Sequence, residues 1–256
     1  MRVTLVVNDR KKPFLPIEAE AIVPKHFLNP DEQLSVWKGN KELPLEEVFT
    51  KTVEGTAESA DEIEIVIRGD SSRIKRVGEY MDAGKILIEG DIGKHCGNFM
   101  NGGMIEIRGN ADAWLGREMR GGSIVCHGNA GDYCGSGYRG EKRGMRGGSL
   151  EVFGNAGNLA AETLSGGTVI IHGDAGDMAG SDMHDGVLVI HGSTSCIVPN
   201  MTGGTCTVHG TVTDMMPTFR KEGSEMIDGT VYTRFTGDIA NRGKGTLFIR
   251  HYQYME

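Results

Sequence analysis

The sequence predicts an all-β protein, a single-stranded right-handed parallel β-helix of about 8 coils of about 19 residues, with an N-terminal cap. Three observations carry that expectation. Glycine supplies 39 of 256 residues, about 15%, against an ordinary share of about 7%. Short segments of the form I-x-I-x-Gly return at a near-constant spacing. Between them too few residues remain for a helix beside two or three short strands and their corners. Collagen is excluded, since it needs glycine at every third position and many prolines, and there are 7 prolines. Glycine this frequent inside helices would cost about 1 kcal/mol per site relative to alanine, which excludes a helical bundle.

Residues 1–61 lack the repeat and carry five of the seven prolines. Val3–Val7 and Gln33–Trp37 read as strands there, and Gly39-Asn40 as a turn. The segment is expected to cap the first coil, because an open solenoid end is an unpaired edge. The solenoid itself is expected over 62–256. Its closing glycines are Gly69, Gly90, Gly109, Gly128, Gly154, Gly173, Gly192 and Gly210, at intervals of 21, 19, 19, 26, 19, 19 and 18. The interval of 26 is one coil plus a seven-residue insertion, within about 135–144. From Thr211 the repeat decays, and Gly243–Arg250 reads as a final strand.

Stacking turns sequence columns into spatial ones. One inner column runs Ile86, Ile105, Ile124, Leu150, Val169, Leu188, Cys206; its neighbour runs Ile88, Ile107, Cys126, Val152, Ile171, Ile190, Val208. A third runs Met81, Met100, Met119, Met145, Leu164, Met183, Met201, with Met226 as a candidate eighth member. Leu164 substitutes in register, so this column reads as core filling rather than a soft-metal or redox feature. The Asn or Asp directly after a closing glycine reads as a turn residue. A left-handed hexapeptide solenoid does not fit, because the spacing from methionine to the two strand aliphatics is five, then two.

Lys and Arg total 27 against 35 Asp and Glu, a net charge of −8 with no long basic run, so nucleic acid is not an expected partner. No apolar stretch approaches the ~18 residues of a membrane span, and no membrane association is expected. The opening Met1–Val7 is too quickly polar for a signal peptide. Five cysteines without a C-x-x-C pair argue against a disulfide scaffold, zinc or iron–sulfur site and fit a reducing cytoplasm.

Two groups of residues stand out as partner-contact candidates. His127, His172, His191 and His209 share one outward column, the last three on successive coils. Imidazoles so placed could share a metal. The row lacks converging geometry, with no carboxylate or cysteine expected to join it, so an exposed or partner-facing stripe is the better reading. The insertion brings Arg139, Lys142 and Arg143, followed by Arg146. It lacks G-x-x-x-x-G-K-[ST]. A loop gripping an acidic partner, a plain mobile loop and an anionic-ligand site all stay open. Ser71-Ser72, Cys134 and Asp182/His184 are isolated, with no nucleophile paired to a base. Neither catalytic, cofactor-binding nor metal residues are expected on this chain.

The stretch Gly69–His95, the segment Asn110-Ala-Asp-Ala-Trp114-Leu-Gly116, the seven methionine-to-glycine repeats, the tail Gly237–Gly245 and the cap segment Val36–Asn40 together resemble the C subunit of formylmethanofuran dehydrogenase. The resemblance spans nearly the whole chain. The same repeat occurs more loosely in the C-terminal β-helix domain of glutamate synthase. The resemblance implies a component of an oxygen-sensitive cytoplasmic complex of methane-forming metabolism. That complex reduces CO2 with ferredoxin-type electrons and fixes it on methanofuran as the N-formyl amide. Its tungsten- or molybdenum-pterin, iron–sulfur clusters and two-metal amidohydrolase-like site are implied on partner subunits, as are iron–sulfur electron-transfer subunits. None of those groups is implied here. Two alternatives stay open: the C subunit of the related formyltransferase/hydrolase complex, and a free-standing binding module.

Overall fold

Alternating aliphatic positions stack in register, and the backbone hydrogen bonds follow them. The chain is represented by a computed structural model that describes residues 1–8, 15–29 and 31–253; residues 9–14 and 30 of the expected cap, with Pro13 and Pro30, and residues 254–256 of the expected solenoid lie outside it. The N-terminal part supplies β1 (Arg2–Val7), β2 (Ile17–Glu18), β3 (Ser35–Lys38), β4 (Lys41–Pro44), the one-turn α1 (Leu45–Val48) and β5 (Phe49–Glu54). Next come β6 (Glu64–Arg68), β7 (Ile74–Lys75), β8 (Lys85–Ile88), β9 (Met104–Ile107) and β10 (Ser123–Cys126). They continue as β11 (Arg146–Val152), β12 (Ser165–Ile171), β13 (Asp185–Ile190) and β14 (Thr205–Val212). The chain ends in β15 (Arg220–Ile227), β16 (Thr230–Gly237) and β17 (Gly245–Tyr252).

Among the described residues thirteen strands form one sheet, in the order β15-β16-β17-β14-β13-β12-β11-β10-β9-β8-β6-β1-β5. From β1 to β17 every neighbouring pair is parallel. The fold is thus all-β with almost no helix. Both predicted inner columns are in register: Ile86 pairs with Ile105, Ile105 with Ile124, and Ile124 with Leu150 across the insertion. Every member of both columns is fully buried. The columns run further than expected, to Val3 and Leu5 at one end and Leu247 and Ile249 at the other. Each buried aliphatic side chain contributes about 1.5–3 kcal/mol of transfer free energy, so these columns dominate the stability.

The methionine column from Met81 to Met201 is fully buried too, Leu164 included. Met226 is a correction, for it is 70% exposed. It lies in β15, which pairs antiparallel with β16 as an added hairpin and so has left the repeat register. The predicted cap strand Gln33–Trp37 is observed as β3, Ser35–Lys38, because the turn through Gly39 (φ 63°) fixes where the hairpin with β4 reverses.

Two further lines of contact join successive turns. Ile92, Ala111, Ala130, Ala156 and Ala175 form consecutive parallel bridges. Beside them runs a side-chain ladder. The Asp91, Asn110, Asn129, Asn155 and Asp174 Oδ1 atoms each accept the backbone N–H of the residue one turn on, at 2.7–2.9 Å. The expected turn residues therefore also tie one turn to the next. On a third line, Gly97, Gly116 and Gly135 donate backbone N–H groups to Val77, Cys96 and Leu115 carbonyls, each at 2.8 Å.

Candidate partner-contact surface

The strands are parallel, so their C-terminal ends share one edge, where the histidine row lies. His127, Phe153, His172, His191 and His209 stack with ring centroids 5.3, 4.6, 4.9 and 4.4 Å apart. Tyr232 ends the row, its hydroxyl 2.6 Å from His209 Nδ1. Carboxylates do join the row, contrary to expectation. His172 Nε2 lies 2.8 Å from Glu151 Oε1, and His127 Nε2 lies 3.4 Å from Glu106 Oε1. They come from outward strand positions between the two buried columns, on the preceding turn, a diagonal that a single-column reading omits. Burial, then the neighbouring imidazole of His172, holds His191 below the ordinary histidine range. Burial, then His191 and Arg250, does the same to His209. Among the described residues no group of three or more His, Cys, Asp or Glu side chains could hold a metal ion.

The insertion lies at the opposite strand ends, just before β11. Lys142, Arg143 and Arg146 line a cleft of about 570 Å³ together with Ser165 and His184. His184 anchors the loop, with Nε2 3.2 Å from the Lys142 carbonyl oxygen and Nδ1 2.9 Å from Thr202 Oγ1. Arg146 lies 3.7 Å from the nearly buried Glu118. Arg139 is exposed and does not line the cleft. Three of the four predicted basic residues are thus brought together, and the strands separate them from His172, His191 and His209. Of the isolated candidates, Ser71 donates to the Asp91 carbonyl, which is a structural bond. Burial pushes Cys134 up to about 12 and Cys126 up to about 11, which keeps both thiols protonated. Asp182 accepts from Ser181, whereas His184 is turned to Thr202 and the insertion, so the two do not form a catalytic pair.

A third feature escaped the sequence reading. Five residues after Gly90, Gly109 and Gly128 stand His95, Trp114 and Tyr133, stacked at 5.1 and 5.0 Å. All three have left-handed backbone, with φ of 67°, 62° and 64°. Tyr80 stacks on Phe99 at 4.8 Å, and the Arg117 guanidinium lies 4.5 Å from the Phe99 ring and 5.0 Å from Tyr138. Tyr138, from the insertion, leans on both Trp114 and His95. Burial, then the charges of Arg117, Arg76, Lys75 and Lys94, lowers His95 to about 4. The 19-residue spacing that found the histidine row also marks this column.

Such a molecule is a stacked-repeat, all-β protein with chemically patterned outer surfaces. No sequence-family model matches the chain. It is 41% identical over 95 residues to the C subunit of the molybdenum-containing formylmethanofuran dehydrogenase 1 of Methanosarcina barkeri, covering 36% of this chain and 31% of that one. It is 38% identical over 95 residues to the C subunit of the tungsten-containing formylmethanofuran dehydrogenase 2 of Methanothermobacter thermautotrophicus, covering 36% and 35%. The matches thus span about a third of those relatives' length. A chain of the formyltransferase/hydrolase complex FhcABCD of Methylorubrum extorquens, solved with methylofuran, is similar over 96% of this chain and 98% of that one, with a TM-score of 0.86 and 27% identity. The resemblance to the C subunit of formylmethanofuran dehydrogenase is borne out in these relatives. Among the described residues no helix is long and apolar enough to cross a membrane.

Proposed function

We propose that this chain is the C subunit of a formylmethanofuran dehydrogenase complex, a non-catalytic support for its partners. The observation that carries this is the identity to subunits of that name in both the molybdenum and tungsten forms. The complex reduces CO2 with low-potential, ferredoxin-type electrons and fixes it on methanofuran as N-formylmethanofuran, the first step of methanogenesis in an archaeal cytoplasm. The pterin-bound metal, the iron–sulfur clusters and the two-metal hydrolase site reside on partner subunits.

The architecture behind this role is a right-handed parallel β-helix over 62–256, closed by a cap over 1–61. Three lines of inter-turn hydrogen bonds support that reading. Arg139, Lys142, Arg143, Arg146, His172, His191 and His209 serve as partner contacts. A body whose every turn bonds to the next is stiff, and it suits large fixed interfaces.

A second reading is favoured by one observation. The near-complete structural match is to a chain of a formyltransferase/hydrolase complex, so this chain also fits the C subunit of such an assembly. Purification through a tag on this chain separates the two. The first reading expects a co-purifying partner that holds pterin and iron–sulfur groups, together with CO2-dependent formation of formylmethanofuran. Partners that only transfer or hydrolyse the formyl group support the second. A chain that purifies alone from its own cells contradicts both.

A further inference from the structure

Among the described residues, the stacked face around Trp114 holds most of the buried side-chain polar atoms without a hydrogen-bond partner. Among the described residues six buried side-chain nitrogen or oxygen atoms lack a hydrogen-bond partner: Arg76 Nε, His95 Nδ1, Asn98 Oδ1, Trp114 Nε1, Arg117 Nε and Thr218 Oγ1. All but Thr218 lie within the repeat segment 76–117, which builds the His95–Trp114 and Tyr80–Phe99 stacks. Arg76 Nε does stand in ion-pair range of Glu18, at 3.1 Å, and Arg117 Nε is 3.9 Å from Glu118. Native proteins leave few such groups unpaired, and a concentration of them calls for a reason.

Exposed aromatic rings sit at the same place. Tyr80 and Tyr138 are 51% and 47% exposed. Lys94 Nζ lies 5.9 Å from the Trp114 ring centroid, and Arg117 lies between Phe99 and Tyr138. Four cations, Lys75, Arg76, Lys94 and Arg117, bear on His95. The nearby carboxylates of Glu79 and Glu118 are engaged by Arg76 and by Arg117 with Arg146. Lys75 and Arg76 pair with Glu18 and Glu79, and Arg117 pairs with Glu118, whereas Lys94 beside the Trp114 ring has no ion pair among the described residues, on a chain of net charge −8. Aromatic residues and arginine are the types enriched where protein interfaces concentrate their energy.

We propose that this face docks an acidic segment of a partner protein, whose carboxylates meet Lys94 and whose chain packs on Tyr138 and Trp114. The proposal rests on reading the chain as part of a complex, to which it adds the place and chemistry of one contact. It adjoins the basic cleft, since Arg146 of the cleft and Arg117 of this face both pair with Glu118. A cation at such a rim orients the partner and makes retention sensitive to salt.

The test uses the whole complex, pulled from its own cells through a tag on this chain. In wild-type complex, a zero-length carbodiimide cross-linker is expected to join Lys94 to an Asp or Glu of a partner. The double variant Lys94→Glu with Tyr138→Ser, which changes side chains on the surface, should lose one partner by about tenfold at ~0.15 M salt. Lys94→Arg should keep it. Thermal melting of each variant chain checks that the fold survives. Full partner retention in a folded double variant, or Lys94 linked only within its own chain, overturns the proposal. If wild-type chain brings down no partner at all, the reading of the chain as part of a complex fails instead.

Discussion

Met145 donates its backbone N–H to the Gly135 carbonyl at 3.0 Å, across ten residues. Elsewhere the same bond joins residues three apart, as from Met100 to Gly97 at 3.3 Å and Met119 to Gly116 at 3.2 Å. The seven extra residues are therefore looped out at one point, and the turn closes around them. Asn155 N–H still reaches Asn129 Oδ1 at 2.8 Å over 26 residues, as Asn129 N–H reaches Asn110 Oδ1 at 2.8 Å over 19. Removing seven residues between Ser136 and Gly144 should leave the fold intact. Circular dichroism and a urea melt of the shortened chain should show an unchanged spectrum and a stability change under about 2 kcal/mol.

Ile107→Asp should cost at least ~3 kcal/mol, because it puts an unpaired charge between the fully buried Ile88 and Cys126. Its neighbour Glu106 points outward and pairs with Lys85 and His127 at 3.4 Å each, both partly exposed. Glu106→Gln should cost under ~1 kcal/mol. Equal losses in denaturant melts would mean that the strand faces are misassigned.

The closing glycines are not equivalent. A Cβ on Gly128 would stand 2.6 Å from both the Gly109 carbonyl oxygen and Asn110 Oδ1. A Cβ on Gly90 would meet only the Gly69 carbonyl oxygen, at an ordinary 3.6 Å. Gly128→Ala should therefore lower stability by about 2 kcal/mol or more, and Gly90→Ala by less than about 1. Melting temperatures of the two variants decide the matter.

Acid should weaken the fold before its carboxylates titrate. His95, His191 and His209 all lie below the ordinary histidine value when folded, His95 at about 4. The unfolded chain then binds more protons once pH falls below about 6.5, so stability declines from there toward about 4. Allowing for solvent screening, urea melts at pH 7.5 and 5.0 should differ by about 1 kcal/mol. His95→Gln should shrink that difference; an unchanged difference would mean that His95 does not contribute to the acid sensitivity.

The buried columns were legible because a strand's period of two and a repeat of 19 residues fix both facing and stacking. Ile105 above Ile86 follows from arithmetic alone. The cluster around Trp114 was legible in spacing but not in chemistry. Its residues occupy left-handed backbone that non-glycine residues enter at a cost, and no local signal marks Trp114 or Tyr133 for it. Nor does sequence separation tell that Tyr138, carried on an insertion, folds back onto His95. Glu151 beside His172 is hidden for a simpler reason: the pair lies on a diagonal between two columns, and neither column alone marks it.

Under the proposed function this chain works through its outer surface, and the chemistry resides on its partners. The most direct test is to purify the complex with the seven-residue deletion in the insertion, then compare which partners remain bound with formylmethanofuran-forming activity. The expected result is weaker retention of a partner, with activity falling in proportion to lost assembly. Full retention of every partner with activity abolished would contradict it.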